Sequence, residues 1–390
     1  DAFIQALEKS DLKGMARRPL DLEWLVKFWL SKGKFEPYAV MLDLCIQERI
    51  QEPDPQRSRN DSLDKERITK ALERIGAALV FGGKRAITIP DSGTTETLPE
   101  EAFSLTDILP EWSSADCTNL RSRPIFDPAT FGRTRFHNDN EEEIRSYLTA
   151  KWLLRRRQEG CPVETIKALL FAETYGVQTI KPSLRRTAAW LGLWDEDIAK
   201  EILERDSGLF LEVGDGESLP LNVKKQALIK QIELIVKSDM EGPSLSRNAL
   251  LRFATPDLAD QINQLWKQYS ENADVRQLLL ELIWLGALKT CADIPKQTVF
   301  GTYDDRYSRI FGGRALLATG DDATKKQYAA HILKNCGTLQ KTVVCDALEV
   351  LFPNHFNVDD LVKILRSIDL SDRDGGFGYD WHGSALAERL

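Results

Sequence analysis

The chain is poor in the residues that carry most enzyme chemistry. It has four histidines and six cysteines in 390 residues. Cys45, Cys117, Cys161, Cys291, Cys336 and Cys345 are scattered with no Cys-x-x-Cys, which excludes a zinc ribbon and a thioredoxin-like redox centre. Most of them fall in apolar helical patterns, so buried, reduced thiols and a cytoplasmic location are expected. No Gly-x-x-x-x-Gly-Lys-Ser/Thr occurs. Gly33-Lys34 and Gly83-Lys84 are followed by Phe35 and Arg85, which offer no hydroxyl for magnesium. No Gly-x-Ser-x-Gly elbow appears either. No run approaches the ~18 apolar residues of a membrane span, and the first residues lack a signal-peptide pattern. A net charge of −8 lacks the basic excess of a general nucleic-acid surface. Hydrolase, transferase and redox centres are all missing from view, so this segment is expected to have no enzymatic activity of its own.

What is present is core-forming material, 42% hydrophobic and 29% charged residues, enough for about two to three domains. Residues 1–62 read as helices followed by a polar loop from Glu52 to Asp61. Residues 63–160 read as a helix-rich unit with a small sheet. Leu63, Ile68, Leu72, Ile75, Leu79 and Val80 line one helix face, which Gly82-Gly83 ends. Ala86-Ile-Thr-Ile reads as a strand, Phe103 to Trp112 as a short helix, and Ile125-Phe126 and Thr134-Arg135-Phe136 as further strand pieces. Residues 90–101 are Ser/Thr/Glu/Pro-rich.

From Pro162 the pattern shows paired amphipathic helices and no further strands. Leu184 to Leu191, Asp274 to Leu282 and Asp305 to Leu317 share one layout, a polar turn, an arginine and then a packed helix. Arg276 to Arg309 is 33 residues. A repeat of roughly 30–45 residues built from two helices predicts an α-solenoid of the HEAT or armadillo kind over 161–390. The fold class expected is therefore mainly α: a helical, winged-helix-like unit with a small β-wing, followed by a solenoid with no deep small-molecule pocket.

Residues 131–157 are the most informative. A short aromatic-basic strand presents Phe136 and His137, and a turn of Asn138 and Asp139 follows. A helix then starts with Asn140 as N-cap and Glu143 three residues on, as in a capping box. Glu141–Glu143 and Arg155–Arg157 complement the two ends of its dipole. Ile144, Tyr147, Leu148, Lys151 and Trp152 form its apolar face. Strand, histidine and a helix ending in YLTAKWLL resemble the end of the winged-helix region of NACHT-type STAND ATPases, which are signal-transduction NTPases. Upstream, GMARRPLDLEWLVKFW (Gly14 to Trp29) is similar to the helical segment that follows the nucleotide-binding core of those proteins.

The resemblance implies that Pro19 lies against bound nucleotide and that His137 reaches the β-phosphate of ADP, holding an inactive state. The gap after His137 is longer than in the family, which leaves Asn140 as the alternative. It also implies a longer parent protein with ADP/ATP and magnesium at an upstream phosphate loop, and no cofactor on this segment alone. A protein trigger would bind the solenoid, homo-oligomers would form on activation, and the role in bacteria would be antiphage defence. The residues alone leave plainer readings open. Pro19 also suits a helix start, and His137 also suits a turn beside a helix cap. Arg17-Arg18 and Arg155–Arg157 also suit solvent and a helix C-terminus. Asp372, Asp374, Asp380 and His382 match no metal-loop spacing. Tyr303, Arg306 and Tyr307 are candidate trigger contacts, as types enriched at hot spots. A HEAT-repeat scaffold or adaptor without nucleotide switching competes with the STAND reading. A DNA-binding winged helix is disfavoured by its acidic helix start.

Overall fold

The computed structural model describes residues 2–51, 63–89, 102–129, 133–137, 141–237, 245–301, 303 and 305–367. The chain is mainly α, with a four-stranded sheet and a two-stranded hairpin among the described residues. It divides into two compact units, residues 1–230 with 245–252, and residues 231–244 with 253–390. The polar loop expected after Glu52, the Ser/Thr/Glu/Pro-rich stretch, the Asn138–Asn140 turn and the terminal Asp372–His382 group lie outside the described residues.

The first unit opens with helices α1 (Ala2–Lys9), α2 (Pro19–Lys32), α3 (Tyr38–Arg49) and α4 (Lys65–Phe81). Each boundary has a local cause. Pro19 occupies the first turn of α2, where its missing N–H costs nothing, and Gly33 ends that helix at φ +70. Asp64 caps α4 by accepting from Arg67 N at 2.8 Å. Gly83, at φ +64, turns the chain into the sheet.

The sheet comprises β1 (Ala86–Thr88), β2 (Ala102–Ser104), β3 (Phe126–Pro128) and β4 (Thr134–Phe136) in the order β2-β1-β4-β3. β1 and β2 are parallel, and β4 is antiparallel to both β1 and β3. The expected helix over Phe103–Trp112 needs correction. Phe103 pairs with Ile87 in β2, and helix α5 (Leu105–Ile108) follows before α6 (Ser114–Arg121). A ladder partner for the backbone outweighs helix propensity in so short a run.

Helix α7 (Glu141–Gln158) buries Ile144, Tyr147, Leu148, Ala150 and Leu153; Lys151 and Trp152 sit at the margin of that face. Gly76 lets α4 lie close to α7: a Cβ there would be 3.0 Å from Leu148 Cβ and 3.2 Å from Arg145 O. The same pair is tied by Arg155, whose guanidinium donates to both oxygens of buried Glu73 at 2.7 and 2.8 Å. Arg156 pairs with Glu159, and Arg157 with Asp195 and Asp197. All three arginines are thus engaged within the chain.

After α8 (Val163–Leu170) comes an element that helical patterning did not predict. Strands β5 (Phe171–Thr174) and β6 (Val177–Ile180) form an antiparallel hairpin around Tyr175 and Gly176, at φ 55 and 76. Two successive positive φ values make the tight turn whose twist suits a two-residue hairpin. Helices α9 (Arg185–Leu191), α10 (Glu196–Arg205), α11 (Leu209–Glu212), α12 (Leu221–Lys237) and α13 (Arg247–Phe253) follow. Trp190 is fully buried, stacked near Tyr38 and edge-on to Tyr147.

The second unit contains α14 (Ala259–Tyr269), α15 (Ala273–Gly286), α16 (Asp293–Phe300), α17 (Arg306–Thr319), α18 (Asp322–Asn335), α19 (Lys341–Leu351) and α20 (Val358–Ser367). Alternate helices pack, α15 on α17 and α17 on α19. The recurrent Asn and Asp at turns are N-caps: Asn272, Asp305 and Asp321 accept from backbone N–H groups of α15, α17 and α18. Arg276 bonds Ser308 Oγ at 3.0 Å and Asp305 Oδ2 at 2.7 Å, and Arg314 bonds Asp346 Oδ2 at 2.6 Å. Tyr303, expected to have no packing role, lies under the Arg276 guanidinium at 4.6 Å and edge-on to Trp266. Tyr307 is half exposed and stacks near Phe311.

Candidate functional site: a buried ionic chain through His137

His137 directly follows β4, and the ladder fixes where it goes. Phe126 pairs and stacks with Phe136, and His137 N donates to Ile125 O at 3.0 Å. Ile125 N in turn donates to Arg49 O at 3.2 Å, so the end of α3 is joined to the same edge. The imidazole is 4% exposed and lies between two carboxylates. Its Nε2 is 2.9 Å from Asp21 Oδ2, and its Nδ1 is 3.2 Å from Asp127 Oδ2.

Each carboxylate also meets an arginine. Arg49 Nη2 stands 2.5 Å from Asp21 Oδ1. Arg18 donates from Nη1 and Nη2 to Asp127 Oδ1 and Oδ2 at 2.9 and 2.8 Å, a bidentate fork. The order Arg49–Asp21–His137–Asp127–Arg18 is a continuous chain in which two arginine–carboxylate pairs flank a central imidazole. Ionised carboxylates only accept, so both ring nitrogens donate at once only in the imidazolium form.

Burial pushes the Asp21 carboxyl up, but the hydrogen bond from His137 and the Arg49 charge more than offset it, holding Asp21 below its ordinary value. Arg49 is almost fully buried, and its Nη1 has no hydrogen-bond partner among the described residues. Nearby Cys45 is an inert thiol, pushed up to about 11 by burial.

Of the two residues the family resemblance singles out, His137 is therefore fully engaged, and Pro19 is exposed at the first turn of α2. They share a neighbourhood through Asp21, two residues beyond Pro19. Asn140, the alternative to His137, lies outside the described residues, while Glu143 accepts from Trp190 Nε1 and Arg186 Nη1, both at 3.1 Å. Arg17 is exposed, whereas Arg18 belongs to the cluster. Sequence patterning singled out none of Asp21, Arg49 or Asp127. Each is a single charged residue, Asp21 in the first turn of α2, Arg49 at the end of α3 and Asp127 in the middle of β3, and only the ladder and the α3 terminus bring them together.

Among the described residues no three His, Cys, Asp or Glu side chains converge to hold a metal ion, and no helix is long and apolar enough to cross a membrane. Comparison with family models, curated proteins and solved structures returns no match.

Proposed function

We propose that this chain is the regulatory and sensor portion of a STAND ATPase of the NACHT kind. It would work with a phosphate-binding core that these residues do not contain, and it would catalyse nothing itself. One observation supports this reading above the rest: a single buried imidazole ties the start of the Pro19 helix to the end of the small sheet. To reach a β-phosphate the ring must give up one of its carboxylates. That exchange between a carboxylate and a phosphate partner is the two-state element a nucleotide switch requires. The helix pairs of the second unit suit a HEAT-like solenoid that binds a protein trigger, after which the parent protein would homo-oligomerise in the cytoplasm. The resemblance extends this to antiphage defence.

A HEAT-repeat scaffold or adaptor is favoured by the same ring read differently, since both nitrogens are already bonded inside the chain. Two measurements separate the readings. Calorimetry of the 390 residues with ADP and with magnesium ATP should show no tight binding; tight, magnesium-dependent heat would sink the proposed division of labour. In the parent protein, His137→Ala should speed ADP release and cause trigger-independent oligomerisation. A lost bond to a charged phosphate is worth about 1.5–3 kcal/mol, roughly tenfold or more in a closed/open equilibrium. Unchanged ADP retention in a folded variant would leave the scaffold reading standing.

A further inference from the structure

The second unit contains a pocket of about 340 Å³, where a surface without deep cavities was expected. It is bounded by the end of α16, by α17 and α18, and by the start of α19. Its polar side is made by Arg309, His331 and Asn335, and its apolar side by Tyr303, Tyr328 and Leu339 among others. Its size falls at the small end of the range that encloses small organic ligands.

Arg276 and Arg314 both bind a carboxylate, yet the Arg309 guanidinium has neither an ion pair nor a hydrogen bond among the described residues. Asn335 Nδ2 donates to the main-chain carbonyl oxygen of His331 at 2.8 Å and lies 3.5 Å from the ring Nδ1, and the ring stands edge-on to Phe300. Among the described residues its Nε2 makes no hydrogen bond. Burial lowers the His331 titration first, and the Lys334 and Arg309 charges lower it further. Burial itself favours no charge of either sign; the Lys334 and Arg309 charges are what would attract an anion here.

We propose that this pocket binds a small organic monoanion, a carboxylate carried on a flat or apolar body. Arg309 pairs with the carboxylate through its fork, which matches that group's geometry. His331 and Asn335 complete its hydrogen bonds, and the tyrosines and Leu339 enclose the body. A single fixed cation suits one negative charge better than a phosphate dianion. This assignment is independent of the nucleotide-switch reading, since none of its residues belongs to the His137 cluster.

The test uses the whole chain labelled at histidine Cε1, where four histidines give a simple spectrum and His331→Gln assigns the signal. Benzoate should shift the His331 signal saturably and move its titration midpoint upward. Benzamide, the neutral isostere, and inorganic phosphate should leave it in place. Arg309→Gln should weaken benzoate at least tenfold while His137 keeps its signal. Absence of a saturable shift, an equal response to benzamide or to phosphate, or unchanged affinity in Arg309→Gln would each overturn the proposal. Should that variant fail to fold, the wild-type comparison of benzoate with benzamide decides alone.

Discussion

The polar ties of the two units span very different lengths of chain. In the first unit Asp21 meets His137 across 116 positions, Arg18 meets Asp127 across 109, Asp43 meets Tyr147 across 104, and Glu73 meets Arg155 across 82. In the second, Arg276 meets Ser308 and Arg314 meets Asp346 across 32 positions each. Distant ties close a single body, so removing one should loosen every element it joins. Near-neighbour ties make a structure whose stability is a sum over adjacent pieces. The units should therefore differ in how far damage travels.

The largest effect is expected from Asp21→Ala. It strands the buried Arg49 guanidinium without its carboxylate and leaves His137 Nε2 without its partner, a loss of about 3–5 kcal/mol. Hydrogen exchange should rise across α2, α3 and the sheet together; a rise confined to α2 would break the comparison. Next, Arg276→Met should cost about 1–3 kcal/mol, because Asp305 and the carbonyls of Ser270 and Glu271 lose their donor. Exchange should rise in α15 and α17 while α19 and α20 stay protected. If the whole second unit loosens, its ties are not local.

Acid sharpens the same contrast. The Asp21 carboxyl titrates below its ordinary value near 3.8, so its stabilisation is fully present above that value and is lost as pH falls through the lower, folded one. The stability gap between the wild type and Asp21→Asn should be constant near neutrality and narrow below pH ~4. A gap that widens in acid would mean the carboxyl is protonated in the folded state. The smallest effect belongs to the hairpin. Tyr175 is fully exposed and held at φ 55, where asparagine is tolerated and a bulky side chain is not. Tyr175→Asn should raise stability by about 0.5–1 kcal/mol, read as a higher thermal midpoint. A lower midpoint would reveal a contact made by the ring.

The helices were legible because their signals are local. Asp305 stood in a polar turn before a packed helix, and periodic apolar residues announced the buried face of α4. Three-residue strands were legible only where β-branched or aromatic residues clustered, as at Ala86 and Thr134. Phe103 was misread because its strand exists only through Ile87. The Phe171–Ile180 hairpin was misread because two four-residue strands contribute apolar residues that also fit a helix. At the candidate site the histidine was visible as a motif residue. Its partners were not, since Asp21, Arg49 and Asp127 carry no spacing relation to it and depend on a register set by Phe126 and Phe136.

The span of the His137 ties also has a consequence in time. A chain leaving the ribosome at ~5–20 residues per second needs roughly 6–23 s after Asp21 emerges before His137 can follow. Through that interval Asp21 and Arg49 can remain hydrated, while the apolar faces of α2 and α3 wait for the sheet that will cover their polar ends. Arg276 waits only roughly 2–6 s for Ser308 at the same rate. Early in synthesis the amino-terminal unit is thus the exposed one, and a cell short of chaperone capacity should lose this protein there first.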